Sequence, residues 1–234
     1  MLDQAFEALK TYDWGADPKA LNPIDEAIVA THDDAAGRKE LEDRLAAVLK
    51  TDVSRDAKDF VCRKLRVIGS AASVPTLAEL LPDKENSHMA RYALERISAP
   101  EAAQAMRDAL PKLEGELKTG VVGSLGVRKD VASVPALTAL LGDTDVKVAR
   151  SAALALGAIR APEAVKALRD AKPESAESKI AVIDALLACA EELLAAGKRA
   201  EAMAIYKDFM GEDQPKHVRL AATRGMLACA GKKE

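Results

Sequence analysis

Aromatic side chains are scarce in these 234 residues: three Phe, three Tyr and one Trp, 3% of the chain. An interior short of rings has to be filled by Leu, Val, Ile and Ala, which suits short helices packed close together. The same scarcity argues against base stacking on single-stranded nucleic acid. A dominant charge is missing too, because 34 Lys and Arg are interspersed with 37 Asp and Glu for a net charge of −3. No concentrated basic surface is expected, and so no nucleic-acid partner. No apolar run approaches the ~18 residues of a membrane span. No secretory leader is visible, since Met1-Leu2-Asp3-Gln4 runs straight into an amphipathic helical pattern. The expected setting is cytoplasmic as the sequence stands, and extracytoplasmic had a leader been removed.

Chemistry-bearing residues are few and scattered. Cys62, Cys189 and Cys229 are an odd number without metal-like spacing, and are read as small buried hydrophobes. His32, His88 and His217 are too dispersed to make a metal site. His32-Asp33-Asp34 is read as a loop whose aspartates cap the next helix. No glycine loop stands ahead of a Lys-Ser or Lys-Thr pair, and no nucleophile elbow is present. No catalytic, cofactor-binding or metal-ligating residue is therefore assigned, and no cofactor is expected.

What the chain does have is repetition. In Val146–Ala171, Val148, Ala152, Leu156 and Ile159 fall on one helical stripe, widened by Ala149, Ala153 and Ala155. Asp143-Thr144-Asp145 offers N-cap oxygens before it, and Arg160-Ala161-Pro162 ends it. Ala164, Val165 and Leu168 form the inner face of the helix that follows. Helices this short are marginal alone in water, so the pair must pack on further pairs. Those are present. Ala72-Ser73-Val74-Pro75 through Leu80-Leu81-Pro82-Asp83 returns as Ala132-Ser133-Val134-Pro135 through Leu140-Leu141-Gly142-Asp143, 60 residues later. Ala99-Pro100-Glu101-Ala102 with Arg107-Asp108-Ala109 returns as Ala161-Pro162-Glu163-Ala164 with Arg169-Asp170-Ala171, 62 residues later. Self-similarity at this period marks a solenoid of helix pairs of roughly 30 residues each.

These residues resemble the HEAT-like repeats of the bilin-lyase (PBS-lyase) type, whose pattern is an Asp, a Val-Arg pair, an Ala-Ala pair, then Ala-Leu-Gly and an apolar residue. Asp143, Val148, Ala152-Ala153, Ala155-Leu156-Gly157 and Ile159 match. The Val-Arg pair itself does not, because Ala149 holds the first Arg slot. Val218-Arg219 with Ala221-Ala222 keeps the pair near the end of the chain, and Met89-Ala90-Arg91 is a weakened copy. The likeness covers roughly residues 54 to 230. It implies an all-α, right-handed solenoid of about six to seven antiparallel helix pairs, with the second helix of each pair on the concave side. It says almost nothing of function. Leu193–Ala202 with Tyr206 looks like a tetratricopeptide hairpin without its closing Pro.

Three stretches are expected in one continuous solenoid. Residues 1–52 are N-terminal capping helices, with Leu2, Phe6 and Leu9 inward and Trp14 and Tyr12 folded over the exposed end of the first hairpin; an aromatic lip of a ligand pocket is the other reading of Trp14. Residues 53–173 are the HEAT-like array. Its helix over Lys112–Val127 carries Gly115, Gly120, Gly123 and Gly126, so it should be soft, and close helix contact or a hinge would explain the glycines. Residues 174–234 form longer helices, the last ended by Gly231 with Lys232-Lys233. That last helix lacks a following partner, so one flank must pack backwards or stay exposed.

With no chemistry assigned, a surface remains. Polar positions of the second helices recur as ladders: Glu101 with Glu163, Gln104 with Lys166, Arg107 with Arg169, Asp108 with Asp170. The same positions serve equally as solubilising residues joined by local ion pairs. The function expected is a non-enzymatic, monomeric scaffold binding a protein or peptide on its concave face, with Gln104, Arg107, Lys166, Arg169 and Trp14 as candidate contacts. The alternative is an accessory or lyase-type subunit handling a pigment or cofactor. Deoxyhypusine hydroxylase, which has this repeat fold, binds two irons through His-Glu pairs; here none of the three histidines is followed by Glu.

Overall fold

In the computed structural model, which describes residues 1–231, the described chain is helical with no strand. The helices are α1 Leu2–Lys10, α2 Asn22–Ala30, α3 Ala35–Leu49, α4 Arg55–Ile68, α5 Val74–Glu79, α6 Ser87–Leu94, α7 Pro100–Ala109, α8 Gly115–Val127, α9 Val134–Ala139, α10 Val146–Ile159, α11 Pro162–Asp170, α12 Ala176–Ala195, α13 Arg199–Lys207 and α14 Lys216–Ala230. The hairpin read over Val146–Ala171 is α10 and α11, and the Gly-rich helix read over Lys112–Val127 is α8. The expected Lys232-Lys233 terminus lies outside the described residues.

Local chemistry sets the helix ends. Asp34 Oδ1 accepts the Ala36 and Gly37 N–H groups at 3.1 and 3.0 Å, so the His32-Asp33-Asp34 stretch is a capped turn. Asp145 caps α10 through Lys147 N–H at 2.9 Å, and the Ser54 and Ser175 hydroxyls cap α4 and α12. Each supplies an acceptor to a first-turn donor that has none in its own helix. Pro100 and Pro162 open α7 and α11, where the missing N–H costs nothing. Gly197, left-handed at φ 78°, ends α12, with its own N–H donating to Leu194 O and the Lys198 N–H to Leu193 O.

The chain divides into two compact units, Met1–Arg128 and Lys129–Glu234. In the first, α4 packs on α6 and α6 on α8, while the second helices α3, α5 and α7 stack beside one another. In the second, α10, α12 and α14 stack in the same manner, and α9 lies against α11. This is the all-α solenoid pattern of layered helix pairs, repeated within each unit. The interior is aliphatic as the composition requires. Val148, Ala152, Leu156 and Ile159 are buried, as are Leu65, Leu77, Leu94, Leu125 and Leu137. All three cysteines are buried.

The N-terminal turn departs from expectation. Tyr12 does pack inward, its ring 6.3 Å from that of Phe60, but Trp14 is 91% exposed and covers nothing. The reason is a tight turn in which Ala16 N–H donates to Asp13 O and Gly15 takes φ 83°, leaving Trp14 at its tip. At the other end α14 packs on α12 and α13, and its remaining flank leaves Leu220 and Leu227 exposed.

Candidate functional site: grooves between the second helices

Between α9 and α11 runs a groove of about 500 Å³ floored by Thr138, Leu141 and Ala167 and rimmed by Lys166, Asp170 and Lys172. Between α5 and α7 runs a second, of about 320 Å³, with Ala78 and Ala105 in its floor and Pro82, Asp108 and Lys112 at its edge. The two are built from equivalent repeat positions. Ala78 and Pro82 stand 60 residues before Thr138 and Gly142, while Ala105, Asp108 and Ala109 stand 62 before Ala167, Asp170 and Ala171. The offsets are those seen in the sequence, so each copy of the duplicated hairpin makes its own groove. The floors are apolar because small side chains at Ala105 and Ala167 leave space between neighbouring helices. Each rim carries one Asp and at least one Lys.

The candidate contact residues lie on these same helices. On α7, Arg107 donates from Nη2 to Gln104 Oε1 at 2.6 Å, and Gln104 Nε2 donates to Asp108 Oδ1 at 2.7 Å. On α11, Lys166 pairs with Asp170 one turn on. Arg169 reaches out of its helix to Asp208 at the end of α13, 2.7 Å away. On α7 the ladder positions Gln104, Arg107 and Asp108 are thus joined in a chain of local pairs, whereas on α11 only Lys166 and Asp170 are joined within the helix. All are on the exposed side, where such pairs contribute only about 0.2–1 kcal/mol each, so a partner can exchange them at little cost. Trp14 is remote in sequence from both grooves and lines neither.

Burial pushes the Cys62 thiol up to about 12, with Asp59 adding to the shift, and burial likewise raises Cys189. Thiols held protonated are poor nucleophiles. Among the described residues no cluster of His, Cys, Asp and Glu is placed to hold a metal ion, and no helix is long and apolar enough to cross a membrane.

The groove floors were not apparent from sequence, though the signal that finds them was: alanines repeating at the duplication offset on the exposed side of a helix. A third cavity, between the N-terminal turns of α6 and α8, had no sequence signal.

The family described as HEAT repeats matches residues 113–187. No curated protein matches the chain. Among solved structures, an engineered protein is similar at 20% identity, covering 89% of this chain and 97% of its own, with a TM-score of 0.43. A designed armadillo repeat protein is similar at 15% identity, over 98% of this chain and all of its own, with a TM-score of 0.43. Human deoxyhypusine hydroxylase, in complex with glycerol, is similar at 15% identity, over 98% of this chain and 96% of its own, with a TM-score of 0.39. Nothing about activity follows from likenesses at this level.

Proposed function

We propose that this chain, a HEAT-like repeat protein, is a non-enzymatic scaffold that binds an extended protein or peptide segment along its second helices. The observation that carries this reading is the recurrence of one groove in two copies, α5 with α7 and α9 with α11, from the same repeat positions. Each groove has room for an aliphatic side chain on an apolar floor, and each offers both signs of charge at its rim. A segment with small apolar residues flanked by polar ones meets both requirements, apolar contact giving affinity and the rim pairs giving register. Of the candidate contacts Lys166 is a rim group, while Gln104, Arg107 and Arg169 stand on the same helices beside the grooves, where a longer segment would meet them. Trp14 remains a candidate for a separate contact, since a fully exposed indole is a frequent anchor at interfaces.

The test is a peptide-display selection on the full chain, repeated with Ala105→Arg and Ala167→Arg combined. Both alanines are only partly buried, so longer side chains fill the grooves without entering the core. Peptides that bind the wild type and lose at least about tenfold in affinity on the filled variant support the proposal, that loss being about 1.4 kcal/mol. Peptides that bind both equally overturn the groove assignment. The Arg107→Ala, Arg169→Ala double variant then reports the positions beside the grooves: weakened binding with unchanged helicity is expected.

A further inference from the structure

The cavity between α6 and α8 lies wholly within the first unit and has different chemistry. It encloses about 830 Å³ between the first turn of α6 and the first turn of α8, and its wall includes Lys84, Ser87, His88, Arg91, Lys112 and Gly115. Three observations converge on it.

The first is orphaned polarity. Ser87 is 2% exposed and its hydroxyl has no hydrogen-bond partner; Arg91 Nε is also buried without one. Buried polar atoms are almost always paired, so two unpaired ones on a single cavity wall call for a missing acceptor. Arg91 keeps only part of its fork satisfied, with Nη1 donating to Gly120 O at 3.1 Å and to Ser124 Oγ at 3.3 Å. The second is an open helix start. Glu114 precedes α8 without a side-chain cap bond, and Gly115 enters at φ 50°. The N-terminal end of a thirteen-residue helix presents donors and a partial positive charge. The third is side-chain charge, because Lys84 and Lys112 are exposed on the rim and Arg91 stands deeper. Burial moreover holds the Arg91 guanidinium below the usual arginine range, although the Glu95 carboxylate at the end of α6 already offsets part of that cost. Glu114 and Glu116 also belong to the wall and leave the basic end, around Arg91 and Ser87, as the place for negative charge.

We propose that this cavity is a binding site for a small oxyanion, held by Ser87, Arg91 and the first-turn amides of α8. Planar carboxylates and tetrahedral phosphates share this chemistry. Ser87 and Arg91 stand in the wall of the cavity and Lys112 at its rim, so a bound oxyanion would meet all three.

The experiment is an amide NMR titration of the full-length protein with sodium phosphate and, separately, sodium acetate, against sodium chloride at matched ionic strength. Saturable shifts confined to residues 84–91 and 112–118 are expected. Ser87→Ala removes only an unpartnered hydroxyl, so the fold should be kept while affinity falls at least about fivefold, the loss of one charge-assisted hydrogen bond. Lys112→Ala, at an exposed position, should weaken binding less and mainly at low salt. Phosphate saturating well before acetate identifies a tetrahedral ligand, and the reverse a carboxylate. Shifts scattered over surface lysines, or an unchanged affinity in Ser87→Ala, overturn the site. So does a crystal grown from phosphate in which ordered water alone satisfies Ser87 and Arg91. Loss of this site leaves the groove reading untouched: Ser87 lines neither groove, so Ser87→Ala separates the two readings, whereas Lys112 also edges the α5–α7 groove.

Discussion

At the scale of single residues, the most consequential side chain in the first unit is a carboxylate that no motif announces. Glu42 is 3% exposed on α3. Its Oε1 accepts the Ser70 and Ser73 N–H groups at 2.7 and 3.2 Å, and its Oε2 the Ser70 hydroxyl at 2.9 Å. It therefore ties down the turn that starts α5, a helix whose own N-cap, Ser73, makes no capping bond. Removing it leaves three donors without their acceptor, one of them the buried Ser73 N–H, so Glu42→Ala should destabilise the protein by about 1–3 kcal/mol in urea unfolding. Glu42→Gln, which keeps one acceptor oxygen, should lose roughly half as much. A loss under about 0.5 kcal/mol for the alanine variant would mean that water replaces the carboxylate. Sequence reasoning had no access to Glu42, because its partners stand 28 and 31 residues away. The same distance hid Asp208 behind Arg169 and the three carbonyls of Leu94, Glu95 and Ile97 that Arg128 gathers. What could be read locally, the Asp34 and Asp145 caps and the buried stripe from Val148 to Ile159, agrees with the structure. Trp14 fell between the two cases: its hydrophobicity argued for burial, and a left-handed Gly15 decided otherwise.

At the scale of elements, the glycines separate helices that must approach closely from helices that are merely weak. A Cβ on Gly157 of α10 would stand 2.7 Å from the Ala185 Cβ of α12, and one on Gly225 of α14 would stand 2.2 Å from the Tyr206 ring of α13. Gly120 of α8 is occupied in the same sense by the Arg91 guanidinium, 2.6 Å from where its Cβ would lie, whereas Gly123 in the same helix meets nothing within 4 Å. Close contact and weak helix propensity thus both account for the Gly-rich stretch, each at its own position. The signs of four substitutions follow. Gly123→Ala should stabilise by about 0.5–1 kcal/mol through helix propensity alone. Gly157→Ala and Gly225→Ala should each destabilise by about 1–3 kcal/mol, since overpacking exceeds the propensity gain. Gly120→Ala should destabilise as well, by displacing Arg91 from Gly120 O. Thermal melts of the four variants check this; Gly157→Ala melting above the wild type would show that α10 and α12 can separate at no cost. Periodicity located every one of these helices, but which glycine faces a neighbour depends on helix-to-helix distance, which one-dimensional pattern does not carry.

At the scale of the molecule, stability in stacked helix pairs is a sum of local pair energies and nearest-neighbour interfaces rather than the property of one core. The two compact units, Met1–Arg128 and Lys129–Glu234, each bury their own aliphatic set, with Leu65 and Leu94 in the first and Leu156 and Leu168 in the second. A cavity made in one unit should therefore weaken that unit first. Leu156→Ala, at a fully buried position, should cost about 2–5 kcal/mol locally. Native-state hydrogen exchange should then show lost amide protection in α10 and in α12, which packs against it, while α4 and α6 keep theirs. The reciprocal variant, Leu65→Ala, should reverse the pattern. If both variants lower protection uniformly along the chain, the units unfold as one cooperative block and nearest-neighbour coupling outweighs the internal stability of each. If the loss stays within the mutated unit, each copy of the repeated groove rests on its own support. On the proposed scaffold reading, peptide binding at the α9–α11 groove should then survive Leu65→Ala, a substitution confined to the other unit.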